Sequence, residues 1–96
     1  MLIVIPTYKP TNKLNQIVEE IINSHYFKNI KKNKKILIID DGNKNLINIE
    51  ILKNLPNNKY ISIISNSKNK GQGYSIKKAI TYAIKNEYEY ILTADD

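Results

Sequence analysis

The chain contains no cysteine, no arginine and no tryptophan, and its only histidine is His25. Without cysteine it cannot form a disulfide scaffold, and with one histidine it cannot build the thiolate and imidazole sites that hold zinc. Any metal must therefore be bound by oxygen. No apolar run approaches the roughly 20 residues of a membrane span. Because the start of the chain also lacks the features of a signal peptide, we expect a cytoplasmic location.

The composition is that of one small globular domain. The 96 residues are 42% apolar and 25% charged, with three glycines and three prolines. The net charge of +6 comes from fifteen lysines. Specific recognition of phosphates and bases relies on the planar fork of arginine, which weakens the hypothesis of a nucleic-acid-binding domain. The densest lysine run, within 31–35, is expected in a solvated connection between a helix and a strand.

Four apolar segments predict strands, and three segments with helical spacing separate them. The predicted strands are 2–5, 36–39, 60–64 and 88–94. The first predicted helix is capped by Thr11 or Asn12, the second spans 45–54, and the third runs from Tyr74 to near Asn86. Strands that alternate with helices pair in parallel through right-handed crossovers. We therefore expect an α/β fold, a three-layer Rossmann-like parallel sheet with the connectivity β-α-β-α-β-α-β. For its strand order we adopt 3-2-1-4, which the alternation of elements does not fix by itself.

Ligands of open parallel sheets bind beyond the carboxyl ends of the strands. The residues at those positions are Pro6, Thr7 and Tyr8 after the first strand, Asp40 and Asp41 after the second, and Asp95 and Asp96 after the fourth. In the order 3-2-1-4 they share one crevice, where acidic pairs can hold a divalent cation against a diphosphate. Each acidic pair also has a simpler interpretation, a strand-ending turn for the first and a charged chain end or helix cap for the second.

A polar loop, SNSKNKGQG, precedes the third predicted helix. Its glycines, Gly71 and Gly73, lie just ahead of a helix N-terminus, which attracts anions. The spacing matches neither a P-loop nor a dinucleotide-binding fingerprint. If the loop binds a ligand, Lys68 and Lys70 would lie near a diphosphate. If it is an ordinary solvated loop, both lysines would be exposed to water.

Four short motifs follow one another in a characteristic order: IVIPTYKP, ILIIDDGNK, NKGQGYSIKKAI and YILTADD. Together they resemble the first half of a family 2 glycosyltransferase, an inverting enzyme of the GT-A fold that uses a nucleotide-diphospho-sugar. The resemblance covers the whole chain. It implies that residues 1–96 form a single domain, the donor-binding half of such an enzyme.

The resemblance also implies roles for individual residues. The tyrosine after the first strand would stack on the base, and the second aspartate after the second strand would accept the imino N–H of uracil, which favours a UDP-type donor. The implied nucleotide-binding residues are Pro6, Thr7, Tyr8, Asp40, Asp41, Asn69, Gly71 and Gly73. The acidic DxD motif, which binds Mg²⁺ or Mn²⁺ and the diphosphate, falls on Asp95 and Asp96.

The chain departs from the family pattern at three places. Lys9 stands where the family usually has asparagine, and Gln72 stands where it has lysine or arginine. At the end of the chain, Asp95 is the first aspartate of the acidic motif or Asp96 is its second, with Ala94 in the first position. The sequence leaves both registers open.

The acceptor half of the family, with its general base, has no counterpart in these residues. We therefore expect that the 96-residue chain alone does not transfer sugar, since that base deprotonates the acceptor hydroxyl. The acceptor of the full enzyme could be a membrane-associated molecule or one of another kind. In the 96-residue chain the fourth strand would be an apolar edge of the sheet, which favours self-association. The alternatives are a non-catalytic doubly wound module that binds Mg²⁺ or a nucleotide, and a basic domain that binds nucleic acid.

Overall fold

The computed structural model describes residues 1–7, 12–41, 58–66 and 72–94. The elements in chain order are β1 (Leu2–Thr7), α1 (Asn12–Asn23), α2 (His25–Lys28), β2 (Lys35–Asp41), a 3₁₀ turn (Asn58–Tyr60), β3 (Ile61–Asn66), α3 (Gln72–Lys85) and β4 (Ile91–Thr93). The helix predicted over 45–54 lies outside the described residues.

The four strands form one parallel sheet in the order β3-β2-β1-β4. Leu2 pairs with both Lys35 and Ile91, and Ile36 pairs with Ile61, so the strands all start at one edge of the sheet. We call this the amino edge, and the opposite one, where the strands end, the carboxyl edge. The predicted fold class and strand order are therefore confirmed.

Helices cover both faces of the two central strands. Side chains of β1 and β2 alternate between two apolar layers because successive residues of a strand point to opposite faces. One layer joins Ile3, Ile5, Ile36 and Ile38 to Leu14, Val18, Ile22 and Phe27 of α1 and α2. The other joins Leu2, Val4, Leu37 and Ile39 to Ala79 and Ala83 of α3. Burial on both faces explains why these strands are continuous apolar runs in the sequence.

The short helix α2, which the sequence pattern did not predict, closes the layer beneath α1. Ser24 caps it, because its Oγ accepts a hydrogen bond from the Phe27 N–H at 3.1 Å. The Phe27 ring is buried and meets the Tyr60 ring edge-on, with centroids 5.3 Å apart. The Lys34 ammonium donates to the Phe27 carbonyl at 2.7 Å and lies 4.7 Å from the centroid of the Phe27 ring. Phe27 thus ties α2 to the starts of β2 and β3.

The C-terminus of α3 is closed by a Schellman motif. The Tyr88 N–H donates to the Ala83 carbonyl at 2.9 Å, and the Glu87 N–H donates to the Ile84 carbonyl at 3.3 Å. Glu87 has a φ of 62°, in the left-handed region. The motif turns the Tyr88 ring onto Tyr82, with centroids 6.3 Å apart. Burial, and to a smaller extent the neighbouring Tyr82, raises the pKa of Tyr88.

The last strand is shorter than the predicted segment 88–94, because Tyr88, the first residue of that segment, belongs to the Schellman motif. Among the described residues, Ile91–Thr93 pairs with β1, with flanking bonds from the Leu2 N–H to the Tyr90 carbonyl (2.8 Å) and from the Ala94 N–H to the Val4 carbonyl (2.9 Å). β4 is an edge strand, and Leu92 is 48% exposed. The predicted apolar edge is thus present at β4.

Candidate functional site

Three neighbouring strands end together at the carboxyl edge. β1 lies between β2 and β4, and all three run in the same direction. The described residues closest to their ends are Pro6 and Thr7, Asp40 and Asp41, and Thr93 and Ala94. The segments that carry the sequence motifs therefore leave the sheet side by side. This arrangement is the one that open parallel sheets use for ligand binding.

Asp40 and Asp41 belong to β2 and are not a turn that follows it. The parallel ladder continues through both, since Asp40 pairs with Thr7 and with Ser65, and Asp41 pairs with Asn66. The simpler interpretation was a strand-ending turn over 40–43, and its last two residues, Gly42 and Asn43, lie outside the described residues. Strand β2 continues beyond its apolar run because its backbone pairs with β3, and this pairing does not depend on the type of side chain.

A row of polar side chains crosses the sheet one step before the carboxyl edge. Thr7 and Ser65 are the register partners of Asp40 on its two sides, and alternation places all three on the face that α1 covers. Asp40 is 1% exposed, and the Ser65 Oγ donates to its Oδ2 at 3.5 Å. Thr7 is also buried. The Asp40 carboxylate therefore belongs to the interior, where it fixes the relative position of the strand ends.

Pro6 ends the hydrogen-bonded ladder between β1 and β4. Leu2 and Val4 direct their backbone groups toward β4, as the bonds to Tyr90 and Ala94 show. Pro6, the next residue with that orientation, has no N–H to donate. β1 therefore cannot donate the next bond of the ladder, at the level of Ala94, the last described residue before Asp95. Proline at this position has a structural reason as well as the role that the resemblance implies.

The first turn of α3 also lies at the carboxyl edge. The helix follows the end of β3 and runs back to the amino edge, where the Leu2 N–H meets the Tyr90 carbonyl. Gly73 in this turn is exposed, and a Cβ added there would meet no atom within 4 Å. Ser75 is fully buried against the sheet, and its Oγ has no hydrogen-bond partner. The chain's own packing therefore does not require glycine at position 73.

Five of the predicted site residues lie outside the described part of the chain: Tyr8, Asn69, Gly71, Asp95 and Asp96. The structure brings Pro6, Thr7, Asp40 and the backbone of Asp41 to one edge and places Gly73 in the first turn of α3. Sequence reasoning missed Ser65 and Ser75. The alternation of Ile61, Ile63 and Ser65 along β3 is the signal that could have identified the first of them.

Two questions concern the described residues, namely whether their side chains form a metal-ligating cluster and whether one of their helices could span a membrane. No group of three or more His, Asp and Glu side chains within it could hold a metal ion. The expected ligands, Asp95 and Asp96, are not among these residues. Of the helices described, none combines the length and the apolar character that crossing a bilayer requires.

Comparison with known proteins identifies the family. The family model described as glycosyl transferase family 2 matches residues 2–96. No curated protein and no solved structure matches the chain. The match spans all four strands, and the parallel sheet is the Rossmann-like α/β architecture of the GT-A fold. This chain therefore belongs to glycosyl transferase family 2, whose enzymes take a nucleotide-sugar donor and commonly depend on a divalent metal.

Proposed function

We propose that residues 1–96 form a single domain, the donor-binding half of a family 2 glycosyltransferase, which binds a UDP-type nucleotide-diphospho-sugar at the carboxyl edge. One observation carries this proposal. β1 lies between β2 and β4, so the chain segments after Pro6, at Asp41 and after Ala94 leave the sheet as neighbours. A strand order that separated β1 from β2 and β4 would place the three motifs apart. The expected cytoplasmic location belongs to the same proposal.

In this proposal Pro6, Tyr8 and Asp41 contact the nucleoside. Asp41 is the last residue of β2, next to the end of β1, which suits a carboxylate that accepts an N–H from a base. Asp40 and Thr7, which are buried in the polar row, hold the strand ends in register beneath the nucleotide. The loop with Asn69, Gly71 and Gly73 packs near the donor, and the exposed Gly73 leaves room for a ligand there.

The proposed metal ligands are Asp95 and Asp96, which would hold Mg²⁺ or Mn²⁺ through oxygen. The bond from the Ala94 N–H to the Val4 carbonyl fixes the chain immediately before them beside β1. A metal at this point would stabilise the negative charge that develops on the departing diphosphate. The same residues, without an acceptor-binding half or a general base, are expected to bind a donor and not to transfer its sugar. We further expect the 96-residue chain to self-associate through the exposed edge strand β4.

Calorimetric titration of the chain with UDP in the presence of Mn²⁺ tests the donor site. The wild-type chain is expected to bind saturably, and Asp41→Asn to weaken binding about tenfold, because a neutral amide oxygen replaces the charged acceptor of the hydrogen bond. Glu20→Gln is the matched control, since Glu20 is an exposed acid on α1. Absence of wild-type binding, or equal losses in the two variants, would contradict the proposal. Binding of Mg²⁺ without any nucleotide would favour the non-catalytic module.

A further inference from the structure

Lysines gather at the amino edge, opposite the proposed donor site. Seven of the lysines within the described residues lie there: Lys28, Lys31, Lys32, Lys34, Lys35, Lys59 and Lys85. They come from four separate parts of the chain, namely the end of α2, the connection from α2 to β2, the 3₁₀ turn before β3 and the last turn of α3. Five of the seven lie within residues 28–35, and the fold brings Lys59 and Lys85 to the same surface.

The topology explains the clustering. All strands of a parallel sheet start at one edge, and helices that run antiparallel to the strands end there. Contacts within the described residues confirm the assembly: the Met1 ammonium donates to the Asn33 carbonyl at 2.7 Å, and the Lys34 ammonium lies 5.3 Å from the centroid of the Tyr60 ring. Lys32 approaches Glu89, in the loop after α3, to 3.7 Å. The four segments thus form one continuous surface, which we call the basic edge.

Most of the charge on the basic edge faces solvent. Lys28, Lys31, Lys32, Lys59 and Lys85 are all exposed, and the Lys32 side chain is 81% accessible. The acidic residues nearest to it are Glu87 and Glu89 in the loop after α3 and Glu20 in the last turn of α1. Glu89 pairs with Lys32 at 3.7 Å, but both side chains are largely in water, and such a pair is weak. The described part of this edge therefore has a clear excess of positive charge.

Two exposed tyrosines accompany the lysines. Tyr26, in α2, is 60% exposed, and Tyr90, just before β4, is 64% exposed. Tyrosine has an apolar ring and a polar hydroxyl, and it is enriched where proteins meet the headgroup region of a bilayer. Neither tyrosine belongs to the two apolar layers of the core. Their exposure at the basic edge is thus not explained by folding alone.

We propose that the basic edge is a docking surface for an anionic lipid bilayer. Lysine ammonium groups are attracted to anionic headgroups as point charges, without the planar recognition that arginine provides to nucleic acids. The tyrosines supply the amphipathic contacts that a bilayer interface accepts. Strands of six residues span about 20 Å, so the carboxyl edge of a docked chain faces the aqueous phase. This inference is independent of the proposed donor site.

Cosedimentation with vesicles of phosphatidylcholine, with and without phosphatidylserine, tests the proposal. The chain is expected to bind only the phosphatidylserine vesicles and to dissociate at high salt. The variant Lys31→Gln/Lys32→Gln/Lys59→Gln should bind about 100-fold more weakly, since each lysine near an anionic surface contributes about fivefold. The control variant Lys13→Gln/Lys77→Gln/Lys78→Gln removes the same charge from α1 and α3 away from the basic edge, and a loss of no more than a few-fold is expected.

Three results would overturn the proposal. The first is an equal loss of vesicle binding in the two triple variants, which would mean that only net charge matters. The second is tighter binding of polyuridylate than of phosphatidylserine vesicles at the same salt concentration, which would indicate a nucleic-acid surface. The third is unchanged vesicle binding by Tyr26→Ser/Tyr90→Ser, because the proposed contact includes both rings. Thermal melting of every variant confirms that the fold is retained.

Discussion

Replacement of Glu87 by glycine is expected to stabilise the fold. Glu87 occupies the left-handed position of the Schellman motif that ends α3, with a φ of 62°. Residues with a Cβ are disfavoured there, whereas glycine adopts this conformation readily. Glu87 also places a negative charge next to the negative end of the helix dipole. The substitution Glu87→Gly removes both unfavourable interactions and leaves the two hydrogen bonds of the motif in place.

The expected gain in the free energy of unfolding is about 1 kcal/mol. Relief of the left-handed strain contributes roughly 1 to 2 kcal/mol, and removal of the charge adds about 0.3 to 1 kcal/mol. The greater freedom of glycine in the unfolded chain offsets roughly 0.5 to 1 kcal/mol of this sum. For a domain of this size, 1 kcal/mol corresponds to an increase in Tm of about 4 to 8 °C.

Thermal unfolding followed by circular dichroism measures the effect. Glu89→Gly is the matched control, because it removes the same charge from the same loop at a position where φ is not positive. It should lower the Tm. Glu87→Ala removes the charge but keeps a Cβ, so it should raise the free energy of unfolding only by the charge contribution, about 0.3 to 1 kcal/mol. A Glu87→Gly variant that melts no higher than Glu87→Ala would refute the assignment of strain to this residue.

Three further substitutions test the packing. Ser75→Ala removes a buried hydroxyl without a partner and should raise the free energy of unfolding by about 1 kcal/mol in urea titrations; a decrease would show that the hydroxyl is bonded in solution. Phe27→Ala should lower it by about 3 to 5 kcal/mol, most of the stability of so small a domain, whereas Tyr26→Ala, at the exposed neighbour, should change it little. The raised pKa of Tyr88 means that the folded state holds the phenol proton more tightly than the unfolded state, so stability is unaffected below pH 10 and falls as the pH rises above it. Tyr88→Phe should reduce this fall, and an unchanged pH profile would contradict the cause.

The positions of the strands could be predicted from the sequence for physical reasons, whereas the strand order 3-2-1-4 was an expectation that hydropathy does not determine. Strands buried on both faces leave uninterrupted apolar runs, and the polar residues after β1 and β2 mark the carboxyl edge. The extension of these strands through Thr7 and Asp41 was not predictable from hydropathy, because it depends on backbone pairing with the neighbouring strand. The same limit applies to β4, whose predicted start was taken up by the Schellman motif.

The candidate site was predictable only in part. The pairs Pro6-Thr7 and Asp40-Asp41 stand at strand ends, where the pattern indicates them, and the register of β1 and β2 makes them neighbours. Asp40 faces inward because side chains of β2 alternate between the two faces of the sheet. The apolar run before it does not reveal this alternation, because both faces carry apolar residues. The basic edge could be predicted only in part, since the lysines of 28–35 form a run in the sequence but meet Lys59 and Lys85 only after the strand order is known.

The missing N–H of Pro6 has a consequence for local unfolding. The ladder between β1 and β4 covers three residue pairs, against six each between β1 and β2 and between β2 and β3. Separation of β4 therefore breaks fewer bonds than any other opening of the sheet, and it can occur while the three remaining strands stay together. The segment that leads to the acidic C-terminal residues is thus the first foldon to open, so a cation bound there would stabilise the least protected part of the molecule.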